Sequence, residues 1–309
     1  MTGKLPRAVI IAGQTAVGKT SLSLNLAEAV GGEIVNADPS SFYRGMDIGT
    51  AKPTPDERRR IPHHLIDLAA PNETVTLGSY KALAYNVMHE IAARESIPIV
   101  VGGSGLYISA IYHNYRIPEV PPDPQLRDQL EQRAEQEGYQ VLYDELHAVD
   151  PASAEGIDPR NVRRSIRALE VYLLTGQPFS RLKGQDPTEF EIVLMGLRRD
   201  MVQLDQRINQ RVNEMLAGGF IAEVETLLAQ GYDFSAPAFS AIGYRELRDY
   251  LSGALDFVTL EQSIAQATRR LARKQATWLQ RQDLPIHWID ADDEGAALAG
   301  AVKAIEQVG

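Results

Sequence analysis

Cysteine is absent from all 309 residues. Its absence excludes disulfides, thiol catalysis and cysteine-ligated zinc together, and it suits a reducing cytosol. Long apolar runs are missing too, since nothing approaches the roughly 18–20 residues of a membrane span. The opening Met1-Thr2-Gly3-Lys4-Leu5-Pro6-Arg7 carries no apolar leader core and runs directly into an apolar segment. Internal repeats and low-complexity tracts are likewise lacking. These absences give the expectation of a soluble, cytoplasmic protein without membrane association, and a monomer is the default. The composition, 44% hydrophobic and 23% charged, allows one large domain or two of ordinary size.

Basic charge is also in short supply, with a formal net charge of −10, which at first argues against a nucleic-acid partner. The distribution reverses that. From Glu119 to Asp158 there are eleven acidic and two basic residues (Arg127 and Arg133), so the other 269 residues carry about −1 in total. Basic residues gather at Arg160, Arg163, Arg164 and Arg167, and again at Arg269, Arg270, Arg273 and Lys274, with Arg281 beyond. Local field decides phosphate binding more than the whole-chain sum.

The densest chemical signal lies near the start. Gly13-Gln14-Thr15-Ala16-Val17-Gly18-Lys19-Thr20 fits the phosphate-binding pattern G-x-x-x-x-G-K-[ST] at every fixed position. It falls between an expected strand, Ala8–Ala12, and an expected helix starting at Ser21. Glycines let backbone amides curl around an anion, and the helix N-terminus adds partial positive charge. Lys19 supplies a point charge, and the Thr20 hydroxyl is placed to ligate Mg²⁺.

The first hundred residues alternate strand and helix. Expected strands are 33–37, ending at Asp38, then 64–67 and 97–101. The loop from Pro39 to about Arg60 follows the first, a helix from about Leu77 to Arg94 precedes the last, and Gly102-Gly103-Ser104-Gly105 closes it. Such alternation implies an α/β fold, a P-loop-type parallel sheet flanked by helices, with ligands beyond the carboxyl ends of the strands. The P-loop, Asp38 and Ser104 all fall there. Prolines at 118, 121, 122 and 124 mark a boundary, and the helix 125–137 follows. Val162, Ile166, Leu169 and Leu173 form an apolar stripe after a helix start at Asp158-Pro159. Ile192–Leu197 reads as a strand returning to the sheet, and 285–289 as a last strand. The expected organisation is a core of 1–118 with 191–309 and a helical insertion at 119–190. A metal-holding acid usually follows an apolar strand in P-loop enzymes. Asp38 has that form and Asp67 a weaker one, and Asp38 fits a metal acid, a general base or a loop cap. His63, His64 and His89 lack acidic neighbours at metal-ligand spacing, and Trp278 reads as packed.

The run Asp38-Pro39-Ser40-Ser41-Phe42-Tyr43-Arg44-Gly45-Met46-Asp47-Ile48-Gly49-Thr50-Ala51-Lys52-Pro53 strongly resembles a block of the tRNA dimethylallyltransferases, or tRNA isopentenyltransferases. The resemblance continues through Pro62–Leu65, Val101–Tyr107, Arg167–Val171, Ala241–Arg245 and Arg273–Trp278. It implies transfer of a dimethylallyl group from dimethylallyl diphosphate to the exocyclic amine of the adenosine just 3′ of the anticodon. The P-loop would then hold a diphosphate leaving group, with Mg²⁺ at Thr20, and Asp38 would take the proton of the attacking amine.

By the same resemblance Ser104 stands where the family usually has threonine, Pro39 replaces a serine, and the arginine after Trp278 is displaced by one. Asp38, Pro39, Ser40, Ser41 and Ser104 would face the acceptor tRNA, Arg127 matches a tRNA-contacting position, and Arg245 lies in a substrate-facing block. Arg163, Arg164 and Arg167 on one helix and Arg269, Arg270, Arg273 and Lys274 on another would contact the anticodon stem-loop, whose target base must be unstacked. Two neighbouring readings stay open: prenylation of free adenine nucleotides, and a small-molecule P-loop kinase.

Overall fold

The computed structural model describes residues 5–307, so Met1–Lys4 of the expected lead into the first strand lie outside the described residues. Strand β1 (Arg7–Gly13) is buried on both faces, as a central parallel strand must be. Helix α1 (Lys19–Val30) follows the phosphate loop, and β2 (Gly32–Asn36) follows α1. A short 3-10 turn, Pro39–Phe42, comes next, then α2 (Pro55–Arg60) and β3 (His63–His64). Helix α3 (Leu77–Ala93) leads into β4 (Ile97–Gly102) and α4 (Gly105–Tyr112).

The next segment holds β5 (Tyr115–Arg116), α5 (Pro124–Glu137), α6 (Tyr139–Val149), α7 (Pro151–Glu155), α8 (Val162–Thr175), α9 (Phe179–Leu182) and β6 (Gly184–Gln185). The chain then continues with β7 (Glu191–Arg198), α10 (Met201–Ala217), α11 (Phe220–Ala229), α12 (Tyr244–Leu251), α13 (Phe257–Gln280), β8 (His287–Asp290) and α14 (Glu294–Glu306). Two compact units result: 1–112 with 189–309, and 113–188.

In the first unit the described strands form one parallel sheet in the order β3-β2-β4-β1-β7-β8. Side chains alternate across it. Val9 and Ile11 join Leu22, Leu26, Ile208, Ala301 and Ile305 on one face. Ala8, Ile10 and Ala12 join Tyr80, Met88, Ile91, Ile108 and Leu279 on the other. Each such fully buried Leu or Ile stabilises the fold by about 1.5–3 kcal/mol. A further cluster, Met46, Phe220, Val224, Tyr244, Leu260 and Ile264, packs α11–α13 around the 43–48 loop. In the second unit α5, α6 and α8 close over Leu130, Leu142, Leu146, Ile166 and Leu169. Among the described residues no helix is long and apolar enough to cross a membrane.

Four local expectations are corrected, the first being the helix start at Asp158-Pro159, which falls instead at Val162 with Asn161 as its cap. The strand 64–67 stops at His64, because Leu65 and Asp67 take φ of 60° and 59°, which no strand accommodates. The loop 39–60 contains α2, whose capping box is Thr54 and Glu57. Leu173 is exposed, so the buried stripe of α8 ends at Val171.

Candidate active site

A cleft at the carboxyl ends of β1, β2 and β4 encloses about 940 Å³, in the range of small-molecule sites. Its walls carry the P-loop residues Gly18, Lys19 and Thr20, then Asp38, Ser104 and Arg211. Side chains from its own lysine and from α10 and the residue after β7 hold the carbonyls of the phosphate loop. Lys19 Nζ donates to Gly13 O at 3.0 Å and Gln14 O at 2.7 Å. Arg207 Nε donates to Ala16 O at 2.9 Å, and Arg199 Nε to Val17 O at 3.2 Å. Thr15 N–H donates to Gln275 Oε1 at 2.8 Å. The turn needs left-handed backbone at Ala16 (φ 62°) and Gly18 (φ 116°); glycine adopts it freely, whereas Ala16 is strained there.

Lys19 titrates unusually low, at about 8, because burial disfavours its charged form; Asp38 opposes that shift and Arg211 adds to it. Lys19, Asp38 and Arg211 therefore sense one another's charge across the cleft. Arg211 Nη2 lies 3.5 Å from Thr50 O, which also lines the cleft.

Asp38 follows β2 and is fixed through its backbone. Asn36 Oδ1 accepts from Asp38 N–H at 3.1 Å, while Asn36 Nδ2 donates to Asp38 O and Leu65 O, both at 3.0 Å. Asp38 Oδ1 accepts from Ser40 N–H at 3.0 Å, capping the 3-10 turn. Pro39 occupies the first position of that turn, where a missing N–H is harmless. Ser40 and Ser41 line the cleft with it. The other carboxylates on the walls, Glu57 and Glu214, are bound locally: Glu57 caps α2, and Glu214 accepts from Gln210 at 2.8 Å. Tyr107 is pushed to about 12 by burial, with Tyr43 and Asp38 adding to the rise, so it stays neutral. Asp38 is thus the wall carboxylate placed beside the loop cation.

Asp67, the weaker acid candidate, is spent elsewhere. It pairs with Lys52 at 2.6 Å and Arg58 at 2.9 Å. His64 meets Glu33 at 2.7 Å and His89 meets Glu189 at 2.6 Å, but among the described residues no group of three or more His, Asp or Glu could hold a metal. Mg²⁺ typically keeps several waters and binds through one or two protein oxygens plus substrate phosphates. The exposed Thr20 at the first turn of α1 fits that donor set.

In the unit 113–188, Arg127 and Arg167 grip the buried Glu170: Arg127 makes two bonds of 2.8 Å and Arg167 one of 2.5 Å. Arg160 pairs with Asp158 at 2.8 Å, while Arg163 and Arg164 are exposed. On α13, Arg270, Arg273 and Lys274 are exposed, and Arg269 bonds Asn209 at 2.6 Å. Arg273, Lys274 and Arg281 line a smaller groove with Trp278. Arg245 pairs with Glu246 at 2.7 Å.

Arg207, Arg211, Asn36 and Gln275 were not singled out from the sequence. The four-residue spacing of Arg207 and Arg211, beside the buried stripe Leu204, Ile208 and Val212 of α10, puts both cations on one face of that helix and was the available signal.

The family model for IPP transferases matches residues 41–282. The tRNA dimethylallyltransferase of Thermomicrobium roseum is 44% identical over 287 residues, 93% of this chain and 87% of its own. That of Geobacillus thermodenitrificans is 44% identical over 295 residues, 95% and 92% respectively. A crystal structure of the tRNA isopentenylpyrophosphate transferase of Bacillus halodurans superposes with a TM-score of 0.71 at 35% identity, covering 98% of both chains. A eukaryotic dimethylallyltransferase acting on tRNA superposes with a TM-score of 0.81 at 28% identity, covering 97% of this chain and 77% of its own. The family span begins at residue 41, while the alignment with the Geobacillus relative covers 95% of the chain and so extends over Asp38.

Proposed function

The chain belongs to the IPP transferase family, and we propose from that premise that it transfers a dimethylallyl group from dimethylallyl diphosphate to the N6 amine of the tRNA adenosine adjacent to the anticodon. The observation that carries the reading is one cleft holding a phosphate loop and an acid side by side. Cleavage of the allylic C–O bond leaves an electron pair on diphosphate. Loop amides, Lys19 and Arg211 would receive that charge, as a leaving-group site requires. The new C–N bond forms from the adenine amine, whose proton passes to Asp38. Thr20 would hold Mg²⁺, which would neutralise charge on the diphosphate oxygens.

Ser104 lies on the same wall and would hydrogen-bond the substrate. Ser40 and Ser41 would face the acceptor base. Phosphate contacts would come from the exposed Arg163 and Arg164 and, on α13, from Arg269, Arg270, Arg273 and Lys274. Arg127 first holds α5 to α8 through Glu170, which Arg167 supports from within α8; the edges they leave exposed, and Arg245, would be supplementary RNA contacts.

The test is a transfer assay with radiolabelled dimethylallyl diphosphate and Mg²⁺, offering unmodified tRNA and AMP separately. Label in tRNA supports the reading. Label in AMP alone would move the chain to free-nucleotide prenylation, and label in neither would overturn both.

A further inference from the structure

Gln275 sits inside the basic block Arg273-Lys274-Gln275, where sequence position alone would make it one more RNA contact. The structure gives it another task. Leu271, Lys274, Gln275 and Trp278 share the face of α13 that lines the cleft. From there Gln275 Oε1 accepts the Thr15 N–H at 2.8 Å, across 260 residues of sequence. Its other end lies against the turn after β4. A Cβ placed on Gly103 would come within 2.4 Å of Gln275 Nε2 and 3.0 Å of Gly13 O. Only a glycine lets the amide lie between the loops that follow β1 and β4.

We propose that Gln275 is a positioning residue for the donor side of the reaction, holding the first turn of the phosphate loop in the shape that diphosphate requires. The inference rests on the functional reading above. The carbonyls of Gly13, Gln14, Ala16 and Val17 are gripped by Lys19, Arg207 and Arg199, whereas the Thr15 amide is held by Gln275. The next residue, Ala16, has a φ of 62°, a conformation that alanine keeps only where its surroundings impose it. Removing the acceptor at Gln275 frees the Gln14–Thr15 peptide, one peptide bond ahead of that strained residue. Binding an anion then costs the loop more ordering entropy.

Gln275→Met keeps the length of the side chain and removes both polar ends. Calorimetry with inorganic diphosphate and Mg²⁺ should show Kd raised about three- to tenfold, the effect of one neutral hydrogen bond. An unmodified anticodon stem-loop RNA should bind the variant within about twofold of the wild type, because every cation that meets RNA phosphate is still in place. In turnover, KM for the donor should rise more than KM for tRNA. Hydrogen exchange of the peptide containing residues 13–18 should quicken while Tm stays within a few degrees, which separates loop loosening from misfolding. Weaker RNA binding with unchanged diphosphate affinity and loop exchange would overturn the proposal. A wild-type protein that transfers nothing to tRNA would strike the functional reading instead, and the diphosphate comparison would still decide the role of Gln275.

Discussion

Lys19 donates to the carbonyl of Gln14 at 2.7 Å, folding the loop ammonium back onto its own loop. The same ammonium is desolvated by its surroundings and titrates at about 8. An anion arriving at the loop restores the ordinary preference for the charged form. Diphosphate binding should therefore draw in a proton around and above pH 8, and affinity should fall as pH rises through that range. Asp38 raises the Lys19 value, so Asp38→Asn should move the fall to lower pH. Calorimetry in buffers of different ionisation enthalpy checks both, and pH-independent binding between about 7 and 9 would contradict them.

Asp38→Asn keeps the side-chain shape and the bond from Ser40 N–H while removing the base. Turnover should drop by about 10²–10⁴-fold, the usual contribution of a positioned base, with tRNA affinity largely intact. Single-turnover transfer alongside RNA binding measures the two separately.

How much of this was readable beforehand depends on where the residues sit in the chain. The P-loop is consecutive in sequence and flanked by an apolar run and a helix, so motif, strand end and helix start agree. Asp38 was visible as the end of β2, but its backbone anchor Asn36 was not, because Leu65, which shares that asparagine, is brought up only by the fold. Arg207, Arg211 and Gln275 reach the cleft from α10 and α13, far along the chain from the residues they meet. Nothing local marks them as partners of Ala16, Asp38 or Thr15. Arg127 and Arg167 read in sequence as RNA contacts, and the fold adds a second task that composition does not show, since both engage the buried Glu170. The end of β3 escaped because positive φ at Leu65 and Asp67 leaves no signature in apolar patterning.

Lys52 anchors the wall of the cleft. Its side chain is 1% exposed, and its ammonium donates to Tyr43 O at 2.5 Å, Asp47 at 2.9 Å and Asp67 at 2.6 Å. Burial pushes the Asp67 carboxyl up, but bonds from Lys52 and Arg58 outweigh it and hold it below its ordinary value. This stabilisation is present above the unfolded carboxyl value and is lost as pH falls through the folded one. Lys52→Met should cost about 2–4 kcal/mol in urea unfolding at neutral pH. The acid-side loss of stability should be smaller in the variant, since Asp67 then has less to lose.

Arg269→Gln with Arg270→Gln should weaken tRNA binding and flatten the dependence of log Kd on log salt. Each cation removed from a phosphate reduces the slope by about 0.7–0.9. Filter binding between low and physiological salt reads the slope directly. An unchanged slope would remove α13 from the RNA interface.

The reaction itself is read most directly by nucleoside analysis of unmodified tRNA after incubation with the protein, dimethylallyl diphosphate and Mg²⁺. The expected product is N6-dimethylallyladenosine at the position next to the anticodon, formed with one diphosphate released per modified base and lost with Asp38→Asn. Diphosphate release without that nucleoside would rule out transfer to tRNA, and the nucleoside formed equally well by the Asp38 variant would rule out Asp38 as the base.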